Sequence, residues 1–328
     1  MPVILPPTAP DRSFPRRRFL ANASRGTLGA LLAGGLTGRF IGGALRAEDG
    51  PTAAPTKPGV WALFSDPHID ASLTAENQGF HMASNLLRCS GQALRERPTA
   101  AIVNGDLARS DGRPEDYRSF LELMGPLRAS GLAVHLTLGN HDDRKSFLSV
   151  LGDDGAKLTR IDRAPVSEKY CETRVIDGVR WMLLDSLDAV NKTPGVLGPR
   201  QIEWVTSELD RDATKPAVIF VHHNVEVSEI GLTDREPLMA VLRPRSQVKA
   251  VFFGHTHRWR RFVDDGIHMV NLPAVGYTFQ KEEPVGWVLA KPSETGLEIQ
   301  LRSLEPHADH GKPVFLPWRA SKAAPVVF

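Results

Sequence analysis

Cysteine is nearly absent from this sequence: Cys89 and Cys171 are the only two in 328 residues. Two thiols exclude a disulfide framework, although they can pair with each other or stay buried and free. A dominant charge is missing as well, since 40 Lys and Arg face 38 Asp and Glu for a net charge of +2. That balance supplies no strong field for nucleic acid, and no basic patch is interleaved with aromatics. Long hydrophobic runs are scarce. The longest apolar stretch, from Gly26 to Leu45, is weakly hydrophobic and broken by Arg39, which argues against a stable membrane span. What is present is globular composition, 41% apolar and 24% charged. The length allows one large domain or two small ones and is ample for a sizeable core.

The first fifty residues differ from the rest. Arg16-Arg17-Arg18-Phe19-Leu20 precedes the apolar stretch, and small residues lead out of it to Ala47. A basic, an apolar and a small-residue region follow the plan of an export signal. The Arg-Arg-x-Phe-Leu order resembles the twin-arginine (Tat) signal, which implies the Tat machinery as a partner and a periplasmic or extracellular location. Residues 1–47 are therefore expected to be a signal peptide, with cleavage after Ala44 or Ala47, and 48–59 a Pro/Thr/Ala linker.

The folded domain is expected over 60–304. Short apolar runs at Val60–Phe64, Ala100–Val103, Ala133–Leu138, Ala217–Val221 and Val248–Phe253 read as strands. Helical patterns lie between them, at about Glu76–Arg97, from Pro114, from Arg144 and over Gln201–Leu209. Asp177-Gly178 and Asp265-Gly266 join strand candidates as hairpin turns. The order predicts an α/β fold, a two-sheet β-sandwich flanked by helices. Residues 305–328 read as a C-terminal tail without periodicity.

Five of these strands end in polar residues: Asp66 and His68, Asp106, Asn140 with His141, His222, and His255 with His257. Each stretch taken singly is an ordinary turn sequence. Together they place carboxylate, amide and imidazole groups in loops that parallel strands of one sheet would line up along a single rim. An Asp-x-His or His-x-His pair in extended chain projects both side chains to one side. Such ligands suit Mn, Fe, Zn, Co or Ni, and the lack of thiolate argues against a structural zinc site.

The series Asp66-x-His68, Gly105-Asp106, Gly139-Asn140-His141-Asp142, His222 and Gly254-His255-x-His257 resembles the calcineurin-like metallophosphoesterase superfamily over the whole of 60–304. The resemblance implies a binuclear centre of two divalent or trivalent ions (Fe, Mn, Zn or Co). Asp66, His68 and His257 would hold the first metal and Asn140, His222 and His255 the second, with Asp106 bridging. Gly112-Arg113-Pro114-Glu115-Asp116-Tyr117, Gln201-x-x-Trp204 and Lys215-Pro216-Ala217 are similar to the branch acting on cyclic nucleotides and glycerophosphodiesters. One departure is that Asn224-Val225-Glu226 stands where that branch usually has prolines after its paired histidines. The implied activity is hydrolysis of a small phosphodiester by a metal-bridging hydroxide. His141 would contact the phosphoryl group and Asp142 would orient His141, while His223 reads as a structural hydrogen-bonding residue. A phosphomonoesterase of the same fold and a catalytically silent exported metal-binding protein are the alternatives.

Overall fold

The computed structural model describes residues 59–158 and 166–320. The expected signal peptide and nearly all of the linker lie outside the described residues. Mostly apolar, buried runs of four to six residues make the strands that carry the site. β1 (Trp61–Phe64) is followed by a two-residue-per-strand hairpin, β2 (Glu76–Asn77) and β3 (Phe80–His81). That hairpin takes the first turn of the expected helix, so α1 begins later and runs Met82–Arg95. Its buried Met82, Leu86, Cys89 and Ala93 recur at helical spacing.

Next come β4 (Ala100–Asn104), α2 (Pro114–Leu123), the short α3 (Gly125–Ala129) and β5 (Ala133–Thr137). Pro114 opens α2, whose Asp116 accepts the Arg113 backbone N–H at 3.2 Å and the Ala71 N–H at 2.8 Å. The chain continues through α4 (Arg144–Leu158), β6 (Glu172–Ile176) and β7 (Val179–Leu183). It then forms α5 (Pro199–Asp210), β8 (Ala217–Phe220), α6 (Arg235–Leu242) and β9 (Val248–Phe253). β10 (Arg260–Asp264), β11 (Ile267–Asn271), β12 (Gly286–Pro292), β13 (Gly296–Ser303) and β14 (Pro313–Pro317) complete it. β14 lies in the tail for which no regular element was expected. It pairs antiparallel with β13 at the sheet edge, and its five residues, bounded by Pro313 and Pro317 and mostly exposed, leave little periodicity to read.

Two six-stranded sheets result, in the orders β14-β13-β12-β1-β4-β5 and β10-β11-β9-β8-β7-β6. β1, β4 and β5 are parallel, as are β7, β8, β9 and β11. Strand alternation sorts the core into three layers. Trp61, Leu63, Ile102, Trp181, Leu183 and Phe220 fill the space between the sheets. Ala62, Phe64, Ala101 and Val103 face α1, α2 and α3, while Met182, Leu184, Ile219 and Val221 face α5 and α6. Trp61 and Trp181 meet edge to face, 4.8 Å between centroids, and join the sheets. Helix, sheet, sheet, helix is the expected layered α/β sandwich. Cys89 and Cys171 are both free and buried, so they do not pair.

Candidate metal centre

The loops after β1, β4 and β5 leave the first sheet and those after β8 and β9 leave the second. This corrects the expectation of a single sheet's rim: the site lies where two rims abut. The join is hydrogen-bonded, with Asn104 Nδ2 donating to Val221 O at 3.0 Å and His255 N to Asp66 Oδ1 at 3.1 Å. The ligand pairs also converge differently from an extended chain. Asp66, His68, Asp106, His255 and His257 have φ between 49° and 69°, the left-handed region. Left-handed residues curl each loop around the centre, so both members of a pair point inward. Such backbone costs of order 1–3 kcal/mol per residue and gathers at functional sites. At Gly139 a Cβ would lie 2.1 Å from Asp106 Oδ1, so only glycine lets the third loop pass the carboxylate.

Six of the seven expected metal ligands fall into two close groups. One ligand atom from each of Asp66, His68 and His257 falls within 4.8 Å of the others, and so does one from each of Asp106, His222 and His255. His68 Nε2 is 3.0 Å from His257 Nε2, and His257 Nε2 is 3.5 Å from Asp66 Oδ1. Asp106 Oδ2 lies between the groups, 3.6 Å from His68 Nε2 and 3.3 Å from His222 Nε2. The second approach is close but not aligned as a hydrogen bond. Asn140 Oδ1, His222 Nε2 and His255 Nε2 are buried without any hydrogen-bond partner. Leaving buried polar atoms unpaired is costly, and three of them on different loops of the site fit a cation that replaces the missing partners. The oxygen and imidazole donors suit a borderline-hard cation.

Three ligand histidines are oriented the same way. His68 Nδ1 meets Arg109 O at 3.3 Å, His222 Nδ1 meets Asn104 O at 3.0 Å and His257 Nδ1 meets Tyr277 O at 2.7 Å. A carbonyl only accepts, so Nδ1 carries the proton and Nε2 is turned into the site. Backbone carbonyls carry no side-chain signal, and sequence reasoning missed all three. Tyr277 and Phe279 were missed too; their rings pack on His257 at 4.6 and 4.5 Å between centroids.

Electrostatics reflect the crowding of charge. Burial alone would raise the Asp66 carboxyl, but His222 and His257 beside it hold it at about 2. Burial disfavours a proton on His222, yet the Asp106 and Asp66 carboxylates push it up to about 10. Burial takes His68 down to about 3 and His255 to about 4. Cation binding at such a centre would displace the His222 proton.

The residues expected to act beside the metals divide. His141 is half-buried, and its ring centroid is 5.3 Å from that of His68. Asp142 does not orient it. Its Oδ1 accepts from Ala108 N at 3.1 Å and the Tyr117 hydroxyl at 3.1 Å, and its Oδ2 from Leu107 N at 3.2 Å and Gly139 N at 2.9 Å. Asp142 is thus the fully buried tie between the second and third loops, too saturated to reach an imidazole. Burial and the Asp106 charge push its carboxyl up to about 7, against the pull of the three backbone N–H groups. His223 has the expected structural bond, Nδ1 to Ser186 Oγ at 2.8 Å. Asn224, in the departure from the usual prolines, is buried and donates to Ser228 Oγ at 3.0 Å.

Comparison with known proteins matches residues 61–259 to the calcineurin-like phosphoesterase family. A probable cyclic nucleotide phosphodiesterase of Rhodococcus erythropolis is 33% identical over 212 residues, 62% of this chain and 66% of that protein. A glycerophosphodiester phosphodiesterase of Enterobacter lignolyticus is 29% identical over 172 residues, 50% of this chain and 58% of its own. The chain thus spans somewhat under two thirds of the length of these relatives. A dimetal phosphatase from Danio rerio shares the fold, with a TM-score of 0.64 at 18% identity over 80% of this chain and all of that one.

Proposed function

This chain belongs to the calcineurin-like phosphoesterase family, and within it we propose a binuclear-metal-dependent hydrolase of small phosphodiesters. The observation that carries the reading is the meeting of two ligand sets at Asp106, one of them with three unpartnered buried donor atoms. Asp66, His68 and His257 would hold one ion, Asn140, His222 and His255 the other, and Asp106 both. Two cations there would supply Lewis acidity toward the phosphoryl oxygens and a water acidified toward neutral pH. The residues do the rest. Asp106, reached by His141 N at 2.9 Å, sets the spacing of the two sets and ties the His141 loop to it. His141, with Nδ1 engaged, offers Nε2 to a phosphoryl or leaving oxygen as hydrogen-bond or proton donor.

Relatives named for cyclic nucleotides and glycerophosphodiesters support a diester over a monoester. Rates on bis(p-nitrophenyl) phosphate and p-nitrophenyl phosphate, with metal-reconstituted protein, test this. Faster diester cleavage is expected; faster monoester cleavage gives a phosphomonoesterase instead, and neither a silent metal-binding protein. Export rests on Arg16-Arg17-Arg18-Phe19-Leu20. Replacing Arg16 and Arg17 by Lys should leave the precursor in the cytoplasm, and unchanged secretion would remove the Tat assignment.

A further inference from the structure

We propose that Asn191, itself held by Asp111, is a positioning residue that keeps the His141 proton on Nδ1, a role that rests on the hydrolase reading above. Asn191 lies between β7 and α5, far from His141 in sequence, and uses three of its polar groups on the site's edge. Its backbone N–H donates to Asn140 O at 2.6 Å, its Oδ1 meets His141 Nδ1 at 2.7 Å, and its Nδ2 donates to Asp111 Oδ1 at 2.7 Å. A φ of 58° makes that convergence possible, and asparagine tolerates the left-handed backbone better than most residues.

The direction of each bond follows from chemistry. A carboxylate only accepts, so the NH2 end of the Asn191 amide must face Asp111 and its oxygen must face His141. Ser110 O is a second acceptor, 3.1 Å from the same imidazole nitrogen. Two acceptors on Nδ1 require a proton there, which leaves Nε2 as the nitrogen that meets substrate. If the imidazolium protonates the leaving oxygen as the P–O bond breaks, it gives up the Nε2 proton and stays neutral with Nδ1–H. The Asp111 segment is seated firmly enough for this. A Cβ on Gly112 would lie 2.2 Å from Asp143 N, so that backbone is pressed against the His141 loop. Asp142, which sequence nominated for this role, is spent elsewhere.

Asn191→Gly tests the proposal, because glycine keeps the left-handed backbone and the N–H to Asn140 while deleting the amide. In the zinc-loaded full chain, kcat on bis(p-nitrophenyl) phosphate should fall about tenfold or more with little change in KM. Diesters with alkyl leaving groups should suffer more. In a His141→Ala background the same change should cost nothing further, and Asp111→Ala should reproduce part of the loss. Independently of turnover, the Nδ1 proton resonance of His141 should be visible in the parent and lost to solvent exchange in Asn191→Gly. An unchanged resonance, nitrogen shifts that place the parent's proton on Nε2, or an equal loss with and without His141 would overturn it. A chain that hydrolyses no phosphoester would refute the hydrolase reading, yet the resonance would still decide the positioning.

Discussion

The half of the site carried by the first sheet and the half carried by the second are held by different means. In the first, Asp142 gathers Leu107 N, Ala108 N, Gly139 N and the Tyr117 hydroxyl, and the Asp106 and Asn140 loops close on one another. Asn140 Oδ1 is its unpaired exception. In the second, the contributions are imidazoles, and His222, His223 and His255 each keep a buried Nε2 without a partner. Where a loop satisfies its own donors, its geometry precedes the ligand. Where buried nitrogens are left over, a cation would complete the geometry.

The contrast can be broken at the one residue both halves share. Asp106→Ala should abolish binding of both proposed metals, read by elemental analysis, and reduce hydrolysis well beyond the roughly hundredfold that a supporting residue costs. Retention of either metal would show that the halves assemble separately. His141→Ala should keep both metals and lose about 10²–10⁴ in turnover, the range for general acid–base groups. A near-parental rate would remove it from the chemistry.

Chelation sharpens the comparison directly. Removing metal should reversibly abolish the proposed hydrolysis and lower the protein's stability, by about 4 kcal/mol relative to protein held at a thousand times Kd. Amide exchange should accelerate around 222–224 and 254–257 more than around 106–108 and 139–142, and equal acceleration would erase the distinction. The smallest expected effect is that of Asp142→Asn. An amide NH2 would then face backbone N–H groups, destabilising the fold by about 1–3 kcal/mol in denaturant titration while leaving metal content unchanged.

Much of this was legible beforehand. The buried strands, both Asp-Gly hairpins and the layered fold follow from alternation and turn chemistry acting over a few residues. The hairpin before α1 and the edge strand β14 were not, because the first is two polar-containing pairs of residues and the second a short run bounded by prolines, each with a conformation that depends on its neighbours. Seven candidate ligands were nameable because each carries its chemistry in its own side chain. Their convergence was anticipated for an incomplete reason. Extended alternation was expected, whereas left-handed backbone at Asp66, His68, His255 and His257 turns them inward across two sheets.

By itself, then, the sequence determined which atoms are available to hold metal and which loops deliver them, since ligand identity and strand pattern are local properties. Tertiary structure alone decided what orients those atoms. The carbonyls of Asn104, Arg109 and Tyr277 point three imidazoles inward, and Asp142 is diverted from His141 to three backbone amides. Asn191 arrives from another element to take its place. Hydrogen bonds between segments distant in the chain depend on how the sheets pack, and no residue type or spacing records that.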